Sequence, residues 1–396
     1  MTNSTRSRRL LFATVVALLC ARSAAAQTVD CATLPNPVYG LGGSAQRPFI
    51  ARVAARLAAA TPATTVIHQA PGACNGINAL IANTRINGTA TYWLADGTER
   101  QCNLPVTGQV VDWANMGNGA TNCPGVTALP ADIGDFTTSV TSWNLIVPLA
   151  SSQQAISAEA LYFVYGFGAQ SQVAPWTDES ALIRRDANSA AALFISLASG
   201  VPVDRQRGTD ARTNGNTVTL VAGAANANAA IGYVSGEVAD ANRARVRTLA
   251  YQHFGQRCGY WPDSSATALD KRGVREGTYW LWSVNHWFAK LDAGGRIANA
   301  RTRDFIGYLT GAVAPPSTLN VIESEIATGN IPRCAMHVWR DGDLAPLYSF
   351  QPEEPCGCYF EQTATGRVPS SCVACATSST CPSTAPMCRR GFCEVL

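Results

Sequence analysis

YGLGGSAQRPFIARVAARLAAA, residues 39–60, is the stretch whose reading decides the fold. It joins the end of a strand to a glycine-rich turn (Gly40, Gly42, Gly43), places Ser44 at a helix N-cap, and continues into a helix whose apolar residues Phe49, Ile50, Val53 and Leu57 share one face. Arg52 and Arg56 fall on the opposite, solvated face. A helix start presented by a glycine loop offers unpaired N–H groups and the positive end of the helix dipole, and the missing Cβ atoms let an anion approach the backbone. Taken alone, the same pattern also describes an ordinary capped helix after a tight turn.

Working outward, the arrangement repeats. A short β-branched strand, Thr64 to Ile67, precedes HQAPGACNGINALIAN (68–83), in which Gly72 and Gly76 flank Cys74 and Asn75, and Ile77, Leu80 and Ile81 open a second helix. Strands follow at Thr89 to Leu94 and Val110 to Asn115, so the chain reads as βα units around a sheet. WNLIVPLA (143–150), broken at Pro148, has the character of a segment that crosses between two lobes. A second block then builds its own elements: a helix in ISAEALYFVYGFG (156–168), the stretch ALIRRDANSAAALFISLASGVP (181–202), a strand at Thr217 to Ala222, and AAIGYVSGEV (229–238). After Tyr260, WPDSSATALDKRG reads as a linker, a strand returns at Gly277 to Val284, and a helix follows at Arg301 to Thr310. The expected organisation is a two-lobed α/β protein, with lobe 1 formed by residues 27–142 and 266–333 and lobe 2 by residues 143–265.

The composition agrees with a sizeable core and a lightly charged surface: 396 residues, 47% hydrophobic and 14% charged. The N-terminus carries Arg6, Arg8 and Arg9, an apolar run from Leu10 to Ala21 and the small residues Ala24, Ala25 and Ala26, the pattern of a signal peptide cleaved after residue 26. That run is too short to span a bilayer, so the protein is expected to be exported, to the periplasm or the extracellular space. Residues 1–26 hold four of the 30 basic residues and no acid, so the remainder carries 26 basic against 27 acidic residues and a net charge of −1. Nothing in this balance suggests a nucleic-acid or anionic-membrane surface.

Thirteen cysteines remain after residue 26, and an exported chain with that many is read as disulfide-bonded, with one thiol left over. Cys102 and Cys123 bracket a strand and its loop and are expected to pair. Eight of the thirteen lie in the last 63 residues, where EPCGCYFEQ and SCVACATSSTCPSTAPMCRRGFCEVL have little periodic apolar sequence. Residues 334–396 are therefore expected to form a small tail stapled by disulfides. Zinc is disfavoured there: only Cys372 and Cys375 have the usual two-residue gap, and no histidine follows His337.

Signatures of catalysis are absent. Gln46 stands where a GxSxG elbow needs its second glycine, and His68, His253, His286 and His337 sit in unrelated contexts without HExxH spacing. Asp132, Asp135 and Glu159 read as solvated or capping carboxylates, and the alternating aromatics Trp280 and Trp282, with Trp287, read as core rather than a carbohydrate platform. The expectation is a non-enzyme with no cofactor and no metal.

The series GLGGSAQRPFIARVAARL, a second glycine loop before a helix, NLIVPLA, RRDANSAAALF and AAIGYVSGE resembles, in this order and across roughly residues 30–330, the PstS-like periplasmic phosphate-binding proteins, the substrate-binding components of ABC transporters. In that family the first loop reads approximately GAG, then alanine or serine, then TF; a later segment reads R-x-x-x-SGT; and a strand reads GAIGYV. Here Ser44 falls in the first loop, Arg185 and Ser189 keep the arginine-to-serine spacing, and Ile231, Gly232, Tyr233 and Val234 match the strand. The resemblance implies a type II-like two-lobed binding fold holding phosphate or a related oxyanion between the lobes. Arg185 would supply the guanidinium, Ser44 and Ser189 hydroxyls, and the loops at Gly43, Ala45 and Gly76 backbone N–H groups. It also implies a monomer and an ABC-transporter membrane partner. Three departures stand out: Ala190 and Ala191 replace the glycine and threonine of SGT; Ala45 and Gln46 replace a threonine and an aromatic; and DWANMGN keeps Asp112 but places Gly117 or Asn118 where the family has a second acid. A secreted scaffold or adhesion protein that has lost its ligand, or a secreted hydrolase, are the competing readings.

Overall fold

The computed structural model describes residues 29–395; the expected signal peptide lies outside the described residues. The strand expected before the first glycine loop is β1 (Pro37–Gly42), followed by α1 (Arg47–Ala58), β2 (Thr65–Gln69), α2 (Ala73–Ala82), β3 (Thr89–Trp93), β4 (Glu99–Asn103) and β5 (Trp113–Met116). Then come β6 (Ile133–Pro148), α3 (Ala158–Phe167), β7 (Leu182–Arg184), α4 (Ala190–Ser199), α5 (Asn214–Ala222), β8 (Ile231–Ser235), α6 (Gly236–Ala241), β9 (Trp282–Lys290), α7 (Ala300–Thr310), α8 (Val321–Ala327) and α9 (Gly357–Thr365).

These strands form one continuous curled sheet in the order β4-β3-β2-β1-β5-β9-β6-β8-β7, with Val29–Asp30 added outside β4 and Thr209–Asp210 outside β7. β6 holds its halves together. From Ile133 to Ser142 it pairs antiparallel with β9, and from Trp143 to Ile146 it pairs with β8 instead. One strand thus changes partners between residues 142 and 143, at the start of the run WNLIVPLA. The partner sheet carries a bulge at Asn285 in β9, next to this changeover.

On one side of the changeover, Phe49, Ile50, Val53 and Leu57 of α1 are each 1% exposed and pack with Trp113, Trp287 and Phe305. The four apolar residues read from the sequence are thus the buried face of α1. Trp282 and Trp287 are fully buried. On the other side, α5 packs Val218 and Val221 against Ile183, Ile146 and Val234.

The structure corrects several local readings. Thr217 to Ala222 is not a strand: Thr213 accepts a hydrogen bond from the Asn216 N–H at 3.1 Å and starts α5, and burial of Thr217, Val218 and Val221 on the sheet overrides their β propensity. Ser44 is not the N-cap of α1. That position is Gln46, whose side chain instead accepts from Asn115 Nδ2 at 2.6 Å. The returning strand begins at Trp282 rather than Gly277. Residues 261–273 are not a free linker either, because Lys271 is 1% exposed and pairs with Asp240 at 2.7 Å and Asp263 at 3.0 Å.

The cysteine pairing also differs. Cys31 bonds Cys102, and Cys74 bonds Cys123. The strand Val29–Asp30 lies beside β4 with Val29 opposite Cys102, which carries Cys31 to that partner and leaves Cys123 for α2. In the C-terminal extension the bonds are Cys334–Cys356, Cys358–Cys372, Cys375–Cys388 and Cys381–Cys393. The thiol left over is Cys258, which is exposed.

Candidate functional site

Where β6 changes partners, the N-terminal ends of several helices meet around a small enclosed cavity. It is lined by Gly43, Ser44 and Ala45 from the loop before α1, by Gly72 and Ala73 at the start of α2, by Ser189, Ala190 and Ala191 at the start of α4, by Asn214 at the start of α5, and by Arg185 and Arg212. Three helix N-termini and one glycine loop therefore border one place, where the Gly43, Gly72, Cys74 and Ser189 N–H groups are held by the Asn115, Gly42, Asn188 and Asp186 carbonyls. No aspartate or glutamate lines it.

Arg185 is the central group. It is 4% exposed, and its Nη1 donates to Asn214 Oδ1 while Nη2 donates to the Arg212 carbonyl at 3.0 Å. Its Nε has no partner, and it makes no ion pair among the described residues, not even with the adjacent Asp186. Of the five N–H donors of a guanidinium, those engaged meet neutral oxygens only. Burial pulls its pKa below the ordinary value, against the opposing pull of Asp186, Tyr233 and Asp210. A guanidinium nevertheless keeps its proton at physiological pH. A buried cation without a counter-charge is costly to the fold unless an anion joins it.

The residues behind the cavity explain how it is held. Tyr233, in the IGYV strand, takes the Arg185 backbone N–H on its hydroxyl at 3.0 Å and donates to Gln206 at 2.6 Å; Gln206 in turn donates to the Ala192 carbonyl in α4 at 3.1 Å. That chain fixes Arg185 against the start of α4. On the opposite wall Asn115 donates to the Gly43 carbonyl at 3.1 Å and to Gln46, and its Oδ1 lies 2.9 Å from His68 Nε2. Burial lowers the His68 pKa to about 4, so the ring is neutral and acts as a brace, stacked on Trp113. Contacts run across the cavity from both sides: Cys74 N–H to the Asn188 carbonyl at 3.1 Å, Asn118 Nδ2 to the Ala190 carbonyl at 2.8 Å, and Ser235 Oγ to the Ala45 carbonyl at 3.4 Å.

Five of the six residues expected from the sequence, Gly43, Ser44, Ala45, Arg185 and Ser189, line this one cavity. Gly76 does not. It lies inside α2, where a Cβ would come within 2.3 Å of the Leu41 carbonyl oxygen, so this glycine lets α2 lie close on β1. The residues of the second loop that reach the cavity are Gly72 and Ala73, because α2 begins four residues earlier than expected; Gly72 has φ +146°, which the PG pair before Ala73 could have signalled. Arg212 and Asn214 carry no sequence signal once residues 217–222 are read as a strand. Asp112, the retained acid, is away from the cavity and accepts from Tyr39 N–H and from Asn299 Nδ2, each at 2.9 Å.

No protein-family model and no curated relative matches the chain. Among solved structures it superposes on a protein described as a phosphate ABC transporter substrate-binding protein, from Clostridium perfringens, with a TM-score of 0.53 at 12% identity over 75% of this chain and 99% of that one. An ABC-type phosphate transport receptor from Vibrio cholerae matches with a TM-score of 0.48 at 17% identity over 74% of this chain and 99% of that one. The chain has a two-lobed periplasmic-binding-protein fold. Beyond that fold it carries a disulfide-rich C-terminal extension.

Proposed function

We propose that this is an exported solute-binding protein that takes phosphate or a related small oxyanion between its lobes, divided as residues 27–142 with 266–333 and 143–265, and hands it to an ABC-type membrane component as a monomer. The observation that carries the reading is Arg185: buried, without a carboxylate partner, and set where three helix N-termini and the Gly43–Ala45 loop converge. An oxyanion there would supply the missing charge and accept from backbone N–H groups, from the Ser44 and Ser189 hydroxyls and from the free guanidinium donors. The six disulfides fit an oxidising compartment, and among the described residues no helix is long and apolar enough to cross a membrane.

The cavity has a volume of about 10 Å³, room for roughly one water molecule. Uptake of a phosphate-sized ion therefore requires the lobes to part and close again around it, with the strand that changes partners as the natural hinge.

Thermal unfolding of the protein without its leader tests this. Phosphate, sulfate, arsenate and molybdate are added in turn; an ion at 100 times its Kd stabilises by about 2.7 kcal/mol, a shift of a few degrees in Tm. The expected result is a shift with at least one of them that disappears in Arg185→Ala. No shift with any of the four defeats the reading and leaves a scaffold without ligand.

A further inference from the structure

The criterion that singles out Arg185 can be applied to the rest of the molecule. Three arginines are at least nine-tenths buried: Arg185, Arg275 and Arg340. Arg275 is paired with Glu361 at 2.7 Å. Arg340, 3% exposed, makes no ion pair among the described residues. Both of its Nη atoms reach only the Trp280 carbonyl, at 3.4 Å each, and its Nε has no partner. Burial pulls its pKa down to about 10, with Asp343 opposing.

Arg340 lines a cleft of about 540 Å³ where the C-terminal extension meets the body. Its guanidinium lies 3.9 Å from the ring centre of Trp282; Trp282 packs against Trp339 at 6.3 Å; and the Arg333 guanidinium lies 4.7 Å from the ring centre of Trp339 on that side. The cleft is thus walled by Arg333, Trp339 and Arg340, with the fully buried Trp282 behind them, and cation–π stacking holds the two arginines in place. Arg333 has no carboxylate partner among the described residues either. Two acids also line the cleft, each hydrogen-bonded to neutral donors: Asp343 accepts from Gly119 N–H at 2.8 Å and Asn122 Nδ2 at 2.7 Å, and Asp341 accepts from the Tyr348 hydroxyl at 2.9 Å; Asp135 holds His286 at 2.7 Å.

We infer that this cleft is a second binding site, distinct from the interlobe cavity, for a small organic anion whose carboxylate or phosphate group pairs with Arg340 while its body lies against Trp339 and Arg333. A preorganised guanidinium recognises either oxyanion. The space separates this site from the first: the interlobe cavity as it stands has room for about one water molecule, whereas the cleft has room for an ion with an organic body attached.

The test reads tryptophan fluorescence of the full chain without its leader, since Trp280, Trp282 and Trp339 sit at the site. Citrate and glycerol 1-phosphate are titrated separately to about 10 mM; a response to one and not the other tells carboxylate from phosphate. The expected result is a saturable change with at least one probe, unaltered in Arg185→Ala and weakened about tenfold or more in Arg340→Gln. No saturable change with either probe, an unchanged affinity in Arg340→Gln, or loss of the response in Arg185→Ala overturns the proposal. Should Arg340→Gln fail to fold, Arg333→Gln takes its place: about tenfold weaker binding supports the site and unchanged binding overturns it. Because the Arg185→Ala arm silences the interlobe cavity, this result stands or falls apart from the function proposed above.

Discussion

Helix N-termini are treated in opposite ways at two places in this molecule. In the C-terminal extension, α9 starts with its N–H groups turned toward Glu394, whose carboxylate accepts from Cys358 N–H at 2.8 Å and also from Gly357 and Tyr359. In the interlobe cavity, α2, α4 and α5 present the same kind of terminus beside Arg185, and among the described residues no acid lines the cavity. The extension has little apolar material to bury, so an internal anion and four disulfides within it hold it together. This also gives the GFCE motif a reading its sequence alone did not: Phe392 and Cys393 are buried, and Glu394 caps the helix. The difference teaches that a missing internal anion among well-held donors marks a place kept for an external one.

The comparison can be broken from either side. Taking the anion away from the extension should have the largest effect: Glu394→Ala leaves three N–H groups of α9 without their charged acceptor, at a cost of about 2 kcal/mol. The expected outcome is faster thermolysin cleavage within residues 357–395 while the body stays intact; unchanged cleavage would mean that the disulfides alone hold the tail. Giving the cavity an anion is the converse. Ser189→Asp places a carboxylate at the start of α4 beside Arg185, and it should raise stability by about 1–2 kcal/mol. The same variant should no longer respond to oxyanions, and a variant that still does would show that the ion sits elsewhere.

α1 is an intermediate case. Glu237, from the segment after β8, faces the Phe49 N–H in the first turn of α1 and accepts from Asn330 Nδ2 at 2.7 Å, and it is 1% exposed. Burial raises its pKa from 4.5 to about 8, with Asp240 pushing the same way and the two hydrogen bonds opposing; burial also raises Glu325 to about 8, against its bond to Ser139. An acid whose folded pKa lies above its unfolded one favours the fold at low pH, and that contribution is lost as pH rises from about 4.5 to about 8. Denaturant unfolding between these limits should therefore show stability falling with pH, by at most about 1.4 kcal/mol per unit for each group. Glu237→Gln, which keeps the shape and removes the titration, should flatten part of the slope. An unchanged slope would place the proton uptake elsewhere.

The sequence was most legible where the signal is local. The face of α1, the IGYV strand and the Arg185–Ser189 spacing are each read from a few neighbouring residues: the first two form the expected helix face and strand, and Arg185 and Ser189 line one cavity. What could not be read depends on pairing distant segments. Cys31 meets Cys102 only because a two-residue edge strand lies beside β4. Gly76 and Gly72 look equivalent in the sequence, and only the approach of α2 to β1 shows that one is a packing glycine and the other a helix start. Asn214 enters the cavity at the start of a helix that β-branched residues disguised as a strand, with Arg212 just before it.

The smallest expected effect is the sharpest test of the comparison, because it separates two serines in the same local position. Ser157 precedes α3 and its Oγ accepts from Ala160 N–H at 3.2 Å. Ser189 precedes α4, yet its Oγ caps nothing, although it is 4% exposed at the cavity wall. If Ser189 is kept for a ligand, its removal should leave the free protein nearly unchanged. Ser189→Ala should then cost less than about 0.5 kcal/mol in the ligand-free protein while weakening the stabilising oxyanion about tenfold. Ser157→Ala should do the reverse, costing about 1 kcal/mol and leaving oxyanion binding alone. Equal stability losses in the two variants, with unchanged binding in both, would make Ser189 an ordinary cap and remove the hydroxyl from the site.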